Sequence, residues 1–309
     1  MSSSSSYKIV SWNVNGIQSV LKKDASGVIS TMPKLKREGK VSSLHTMLAK
    51  EDPDIVCLQE IRCSVKSDLT ENDLTSSKNF CVAKHLPSYP YQYINCCTRR
   101  KGYSGTLVLS KIIPTKISRN CEELVLDVTN NKPLETLLCE GRIITLYFEE
   151  FIVVNVYVPN AGVNGLQRLE ERINVWEPLM RQYLTYLKTQ NTKVIVMGDL
   201  NVVHQPLDWC LGGSLANVID FAGATFSERN ALGILLSLGF IDTYRHYDGK
   251  TKAITWYCRE GRSGCRLDYS LVTKELLSAV TSSTILNNYR GSDHYPISLT
   301  MIVAIAVNQ

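Results

Sequence analysis

Residues 193–201 read Lys-Val-Ile-Val-Met-Gly-Asp-Leu-Asn. Four consecutive apolar residues suit a strand buried on both faces. The run stops at Gly198, and the polar Asp199 and Asn201 follow at once. A carboxylate and an amide are costly to bury without partners. A turn would account for them, and so would a catalytic site built where a strand ends.

Working outward, the same arrangement recurs. Apolar strands read from the pattern run into Ser11-Trp12-Asn13-Val14-Asn15, Leu58-Gln59-Glu60, Tyr157-Val158-Pro159-Asn160 and Gly291-Ser292-Asp293-His294. The Asn13-x-Asn15 ending matches Asp199-x-Asn201 in spacing, as an old internal duplication would leave it, although chance could also produce it. Further strands are expected at Tyr7–Asn13, Ile55–Leu58, Thr106–Leu109, Ala253–Cys258, Arg266–Thr273 and Tyr295–Val303. Arg142–Phe148 and Phe151–Val158 read as a hairpin joined at Glu149-Glu150. Helices are expected over Ser42–Lys50, capped by Ser42 or Ser43, over Leu166–Lys188 with a break at Pro178, and over Asn230–Leu238 before Gly239. Hairpins mixed with helices between strands predict an α/β fold of two packed sheets with helices outside. Residues 1–6, mostly serine, read as a disordered tail, residues 7–309 as one domain, and the mixed stretch 22–40 as a loop or insertion.

Composition excludes several classes. The 309 residues are 44% hydrophobic and 20% charged, which is ordinary for a globular domain. A net charge of +5 favours an anionic partner only mildly. No apolar run reaches membrane-span length, and the start lacks the apolar core of a secretory signal. Ten cysteines occur without a CxxC pair or a zinc spacing, so buried reduced thiols in an intracellular protein are expected.

Taken singly, each polar strand end has a bland reading. Asn13 and Asn15 could cap a turn before Gly16, Glu60 could be a solvated acid, and Asp268 could pair with Arg266. Tyr103 and Tyr157 could be packing residues with a hydroxyl handle, and Asp293 with His294 a structural pair. Five such endings in one chain favour a shared site instead. Carboxylates and amides without a Cys/His cluster suit a hard cation such as Mg²⁺ or Mn²⁺. Such an ion assists phosphoryl chemistry, with water as the attacking group.

The ordered set SWNVNG, CLQE, GYSG, NVYVPNAG, GDLN, RLDY and GSDHYP resembles the exonuclease III-like apurinic/apyrimidinic (AP) endonucleases of the exonuclease–endonuclease–phosphatase superfamily. The motifs extend over residues 7–302, nearly the whole chain. GDLN and SDH mark the superfamily, whereas NVYVPNAG, EGR, RLDY and GSDHYP point to the AP endonuclease branch. The resemblance implies a four-layered α/β sandwich. It implies Glu60 as principal ligand to Mg²⁺, replaceable by Mn²⁺, with Asn13, Asn15 and Asp293 close by. Asp199 would activate water, Asn201 would bind the scissile phosphate, and His294, held by Asp268, would contact a phosphate oxygen. Tyr157 and Asn160 would help to hold the phosphate, and Tyr103 would lie against the DNA backbone. Arg99 and Lys101 become candidate phosphate contacts, with Lys34 to Lys40 a weaker one. Trp256 and Leu267 would line the abasic-site pocket.

The implied reaction is hydrolysis on the 5′ side of an abasic site in duplex DNA, leaving a 3′-hydroxyl and a 5′-deoxyribose phosphate, with trimming of blocked 3′ ends as a possible addition. A monomer is expected, nuclear in a eukaryote and otherwise cytoplasmic. The rivals are a retroelement-type nicking endonuclease and an inactive DNA-binding member of the fold. Two departures stand out. Cys265 replaces a Trp common in relatives, which would loosen the pocket, and Val163-Asn164-Gly165 lacks an Arg that some relatives carry there.

Overall fold

The computed structural model describes residues 4–22, 42–63, 75–76, 80–81, 86–124, 131–162, 165–258 and 263–304. The 22–40 stretch beyond residue 22, including Lys34 to Lys40, and Val163-Asn164 lie outside the described residues. In chain order the first strands are β1 (Ser4–Asn13), β2 (Ile55–Gln59), β3 (Thr75–Ser76), β4 (Phe80–Cys81), β5 (Tyr91–Asn95), β6 (Thr106–Ser110), β7 (Lys116–Arg119) and β8 (Ile143–Tyr147). There follow β9 (Ile152–Tyr157), β10 (Val194–Asp199), β11 (Phe240–Asp242), β12 (Trp256–Tyr257), β13 (Gly264–Cys265), β14 (Asp268–Thr273), β15 (Val280–Ile285) and β16 (Ile297–Ala304).

Two six-stranded sheets form the centre, ordered β15-β16-β1-β2-β6-β5 and β11-β14-β10-β9-β8-β7. Each has a single parallel pair at its middle, β1 with β2 and β10 with β9, and every other pairing is antiparallel. The sheets therefore repeat one topology, with β1 corresponding to β10. The duplicated spacing in the sequence matches this symmetry in detail. Asn15 N donates to Asn13 Oδ1 at 3.0 Å and Asn201 N donates to Asp199 Oδ1 at 2.8 Å. Asn15 and Asn201 adopt left-handed backbone, φ 44° and 48°, a conformation that Asn tolerates better than most residues.

Alternation along the central strands builds the layers. Ile195 and Met197 of β10 join the core between the sheets, while Val194 and Val196 pack outward beneath the Glu177–Gln190 helix. On β1, Ile9 faces between the sheets, and Val10 and Trp12 pack outward toward the Ser43–Glu51 helix. That gives helix, sheet, sheet, helix, the four-layered sandwich. Polar groups also cross the inter-sheet core, where Gln59 Nε2 donates to Asn155 Oδ1 at 2.8 Å.

The tail expectation needs correction, since Ser4, Ser5 and Ser6 pair in register with Ala304, Val303 and Ile302. An edge of β16 without a partner would expose its backbone groups, and these serines satisfy them. The break near Pro178 takes a particular form. A π-helical turn, Arg172–Trp176, precedes the α-helix that carries Pro178 in its first turn. Proline has no N–H to donate, and the wider turn absorbs the mismatch. Gly198 is required by its neighbours, because a Cβ there would stand 1.9 Å from Val156 O. Cys57, Cys97, Cys121, Cys139, Cys210, Cys258 and Cys265 are free thiols. Among the described residues, no helix is long and apolar enough to cross a membrane.

Candidate active site

The carboxyl ends of β1, β2, β9 and β10 meet at one cavity of about 710 Å³. Glu60, Tyr157, Asn160, Asp199, Asn201, Asp293, His294, Tyr103, Lys101, Trp256 and Leu267 line it. Asn13 is fully buried and joins both halves, with Nδ2 donating to Asp199 Oδ2 at 2.9 Å and to Glu60 Oε1 at 3.4 Å. Asn15 Nδ2 donates to Asp293 Oδ1 at 2.9 Å, and Trp256 Nε1 reaches Asp293 Oδ2 at 3.3 Å.

Asp199 is buried, and its second oxygen also accepts from Asn201 Nδ2 at 3.3 Å. Burial raises its pKa, reinforced by the Asp268 charge and opposed by His294 and by the Asn13 hydrogen bond. His294 Nδ1 lies 2.8 Å from Asp268 Oδ2, which leaves Nε2 on the Asp199 side at 3.9 Å. Burial disfavours charge on the imidazole, but Asp268, Asp199 and Asp293 outweigh it and raise the pKa. The histidine loop is fastened to β1, since Trp12 Nε1 donates to His294 O at 2.9 Å and Ser292 Oγ to Asn13 O at 2.7 Å.

Glu60 enters from a left-handed residue, φ 50°, pinned where Gly16 N donates to its carbonyl at 2.7 Å. Its Oε1 accepts from Tyr157 OH at 2.5 Å and its Oε2 from Arg62 Nη2 at 2.6 Å. Burial, then Glu60, holds the Tyr157 phenol neutral and able to donate. Tyr103 OH accepts from Arg168 Nη1 at 2.8 Å and Arg142 Nη2 at 3.2 Å, so its own proton remains to be donated.

The donor chemistry fits a divalent cation. Glu60 and Asp293 bring carboxylate oxygens to one cavity, the hard ligands that Mg²⁺ and Mn²⁺ take. The niche at Glu60 Oε2 already attracts positive charge, the Arg62 guanidinium. Asp199, Asp268 and His294 also offer atoms within 4.8 Å of one another. Nδ1 of His294 is hydrogen-bonded to Asp268, and its Nε2 stands at ion-pair distance, 3.9 Å, from Asp199.

Some site residues differ from the sequence reading. Arg99 does not line the cavity and donates instead to Thr136 Oγ1 at 2.7 Å, while its neighbours Arg100 and Lys101 do line it. Asn201 spends its amide hydrogens on Asp199 and on Val158 O at 2.9 Å. Asn201 therefore braces Asp199, and Asn160 Nδ2 in turn donates to Asn201 Oδ1 at 3.0 Å. Cys265 is fully buried among Trp209, Leu215 and Leu267 and opens no pocket. Phe221 forms part of the cavity wall, edge-on to Trp209 at 5.2 Å between centroids. Asp268 takes His294, and Arg266 pairs with Asp208 and Asp242.

Motif reading also passed over Arg172, which the π turn directs inward. It is 1% exposed, and its guanidinium donates to Leu200 O at 2.8 Å, Asn201 O at 2.6 Å and Pro159 O at 3.2 Å. Glu228 at 3.0 Å balances its charge. No spacing rule marks such a residue, because its partners are backbone carbonyls from distant segments.

The Asp268–His294 pair, Asp199 and Glu60 meet one cavity that Arg100 and Lys101 also line, and residues 10–294 match the endonuclease/exonuclease/phosphatase family. The chain belongs to that family. It is similar to a DNA-(apurinic or apyrimidinic site) endonuclease of Dictyostelium discoideum, 34% identical over 95% of this chain and 70% of that one. An exodeoxyribonuclease of Bacillus subtilis is 33% identical over 94% and 98%. The solved AP endonuclease LMAP from Leishmania major superposes with a TM-score of 0.74 at 25% identity, covering 96% of this chain and 87% of that one. Within the family, the relatives of this chain are thus AP endonucleases and exonuclease III-type nucleases.

Proposed function

We propose that this protein is a divalent-metal-dependent DNA-repair AP endonuclease. It hydrolyses the phosphodiester 5′ to an abasic site and leaves a 3′-hydroxyl and a 5′-deoxyribose phosphate. One observation carries the reading: Asn13 joins Asp199, with its His294–Asp268 partners, to Glu60 within a single cavity. A water-activating group and a cation-binding carboxylate are thereby held against the same phosphate.

In this reading Arg100, Lys101 and Tyr103 take flanking phosphates at the rim, and Phe221, Trp256 and Leu267 receive the abasic sugar against an apolar wall. The scissile phosphate sits in the cavity in front of Asp199 and Nε2 of His294, near Asn160 and Asn201. Asp199 orients a water and draws off its proton, and its raised pKa strengthens it as a base. Charged His294 donates to a phosphate oxygen and stabilises the charge that grows there. Tyr157 and Asn13 hold Glu60 in place, with Asp293 and Asn15 beside it. When bound at Glu60, Mg²⁺ or Mn²⁺ supplies positive charge to the phosphate oxygens and the departing 3′-oxygen. Blocked 3′ termini fit the same hydrolysis. A monomer acting on duplex DNA suffices, and that substrate places it inside the cell, in the nucleus of a eukaryote.

The test compares duplexes with and without one abasic site, with Mg²⁺ and with EDTA. Incision confined to the abasic duplex and abolished by EDTA is expected. Equal nicking of intact duplex would support the retroelement-type reading, and cleavage persisting in EDTA would remove the metal-dependent one.

A further inference from the structure

Arg62 stands two residues after Glu60, and both have left-handed backbone, φ 51° and 50°. This turns the guanidinium back over the carboxylate. Arg62 Nε and Nη2 lie 2.9 Å and 2.6 Å from Glu60 Oε2. The backbone that aims them is secured on both sides: Gly16 N donates to Glu60 O at 2.7 Å, Ile61 N to Gly105 O at 3.1 Å and Arg62 N to Ser104 O at 2.9 Å. Glu60 Oε1 is occupied by Tyr157, so the guanidinium sits on the oxygen left open to the cavity.

We infer that Arg62 is a built-in competitor for the divalent cation, holding Glu60 until the metal displaces it. The inference rests on the proposed placement of the metal at Glu60. A guanidinium and a divalent ion seek the same carboxylate oxygen, and neither accommodates the other's charge at that distance. The exchange moves no proton, because arginine stays charged. Arg62 is the member of the pair able to leave, since its side chain is 48% exposed against 17% for Glu60. Once displaced, it remains beside Arg100 and Lys101 in a cavity whose fitting counter-ion is a phosphate. Metal and phosphate binding are then coupled, and each raises affinity for the other.

The experiment titrates Mn²⁺ alone into the wild-type chain, Arg62→Met and Arg62→Lys, with free Mn²⁺ read by electron paramagnetic resonance. Arg62→Met is expected to bind Mn²⁺ about tenfold more tightly, as removal of one half-exposed competing charge predicts. Arg62→Lys keeps the charge without the fork and should fall between the two. Thermal melts confirm that each variant is folded. Unchanged or weaker Mn²⁺ binding by folded Arg62→Met overturns the inference and makes Arg62 a positioning residue for Glu60. No DNA enters the titration. Tighter binding by a variant of a chain that fails to incise abasic duplex would therefore sustain this inference while removing the proposed function.

Discussion

Asn13 Nδ2 and Asp199 Oδ2 stand 2.9 Å apart although 186 residues separate them, and they end the equivalent central strands of two different sheets. Asp199, the carboxylate proposed to activate water, is thus oriented by the sheet that also carries Glu60. Asn13→Ala should lower kcat on abasic duplex by about 10²-fold, and Asp199→Asn by about 10³-fold or more. Because the two act as a unit, the double variant should be little worse than Asp199→Asn. Multiplied losses in the double variant would show that the hydrogen bond contributes nothing to Asp199.

Gly198 tolerates no side chain. Its φ is 152°, and a Cβ there would lie only 1.9 Å from Val156 O, so backbone movement is the only relief. Gly198→Ala should destabilise the fold by about 3 kcal/mol or more, since β9 and β10 would have to separate. Equilibrium urea unfolding checks this, and a variant within about 1 kcal/mol of wild type would contradict the packing described.

Arg172 holds the Pro159 and Leu200–Asn201 loops through three backbone carbonyls. Lysine keeps the charge and loses the planar fork. Arg172→Lys should cost about 3 kcal/mol of stability, the scale for breaking a buried charged network. It should also reduce kcat more than it raises KM, because the displaced groups flank the proposed position of the reacting phosphate. A variant with wild-type kcat would limit Arg172 to a folding role.

Asp208 is buried against Arg266 and Arg245. Burial opposes its charge, but the Arg266 and Arg245 partners outweigh it and hold the pKa below the usual carboxylate range. The folded value is therefore below the unfolded one, about 3.9. The stabilisation is present above that pH and is lost as pH falls through the folded value. Asp208→Asn should be less stable at pH 7, and its deficit should shrink as the pH drops below about 4. A deficit independent of pH would contradict the assignment.

Lys101 lines the cavity, whereas Arg99 is turned to Thr136. Lys101→Ala should weaken binding to abasic duplex and reduce the slope of log K against log salt by about 1. Arg99→Ala should leave both nearly unchanged. Fluorescence anisotropy over a salt series separates the two, and equal slopes for both variants would contradict this division.

Much of this protein could be read from its order of residues. The run Val194–Met197 announces a strand buried on both faces, and Gly198-Asp199 announces its end, because these are local steric and solvation facts. The match between Asn13-x-Asn15 and Asp199-x-Asn201 reports a turn made by the side chain upon its own backbone, which three residues suffice to encode. The motif order identified the family and most residues of the cavity. Tertiary structure alone decided which polar groups meet. Whether Arg266 takes Asp208 or Asp268, whether Arg99 or Arg100 faces the cavity, and where Arg172 points depend on segments brought together by burial. Hydrophobic burial sets the strands against each other without regard to sequence distance. The unpaired donors and acceptors carried inward must then find partners among whatever lies beside them. Such pairings leave no spacing in the chain, and the cluster around Glu60, Asn13 and Asp199 is one of them.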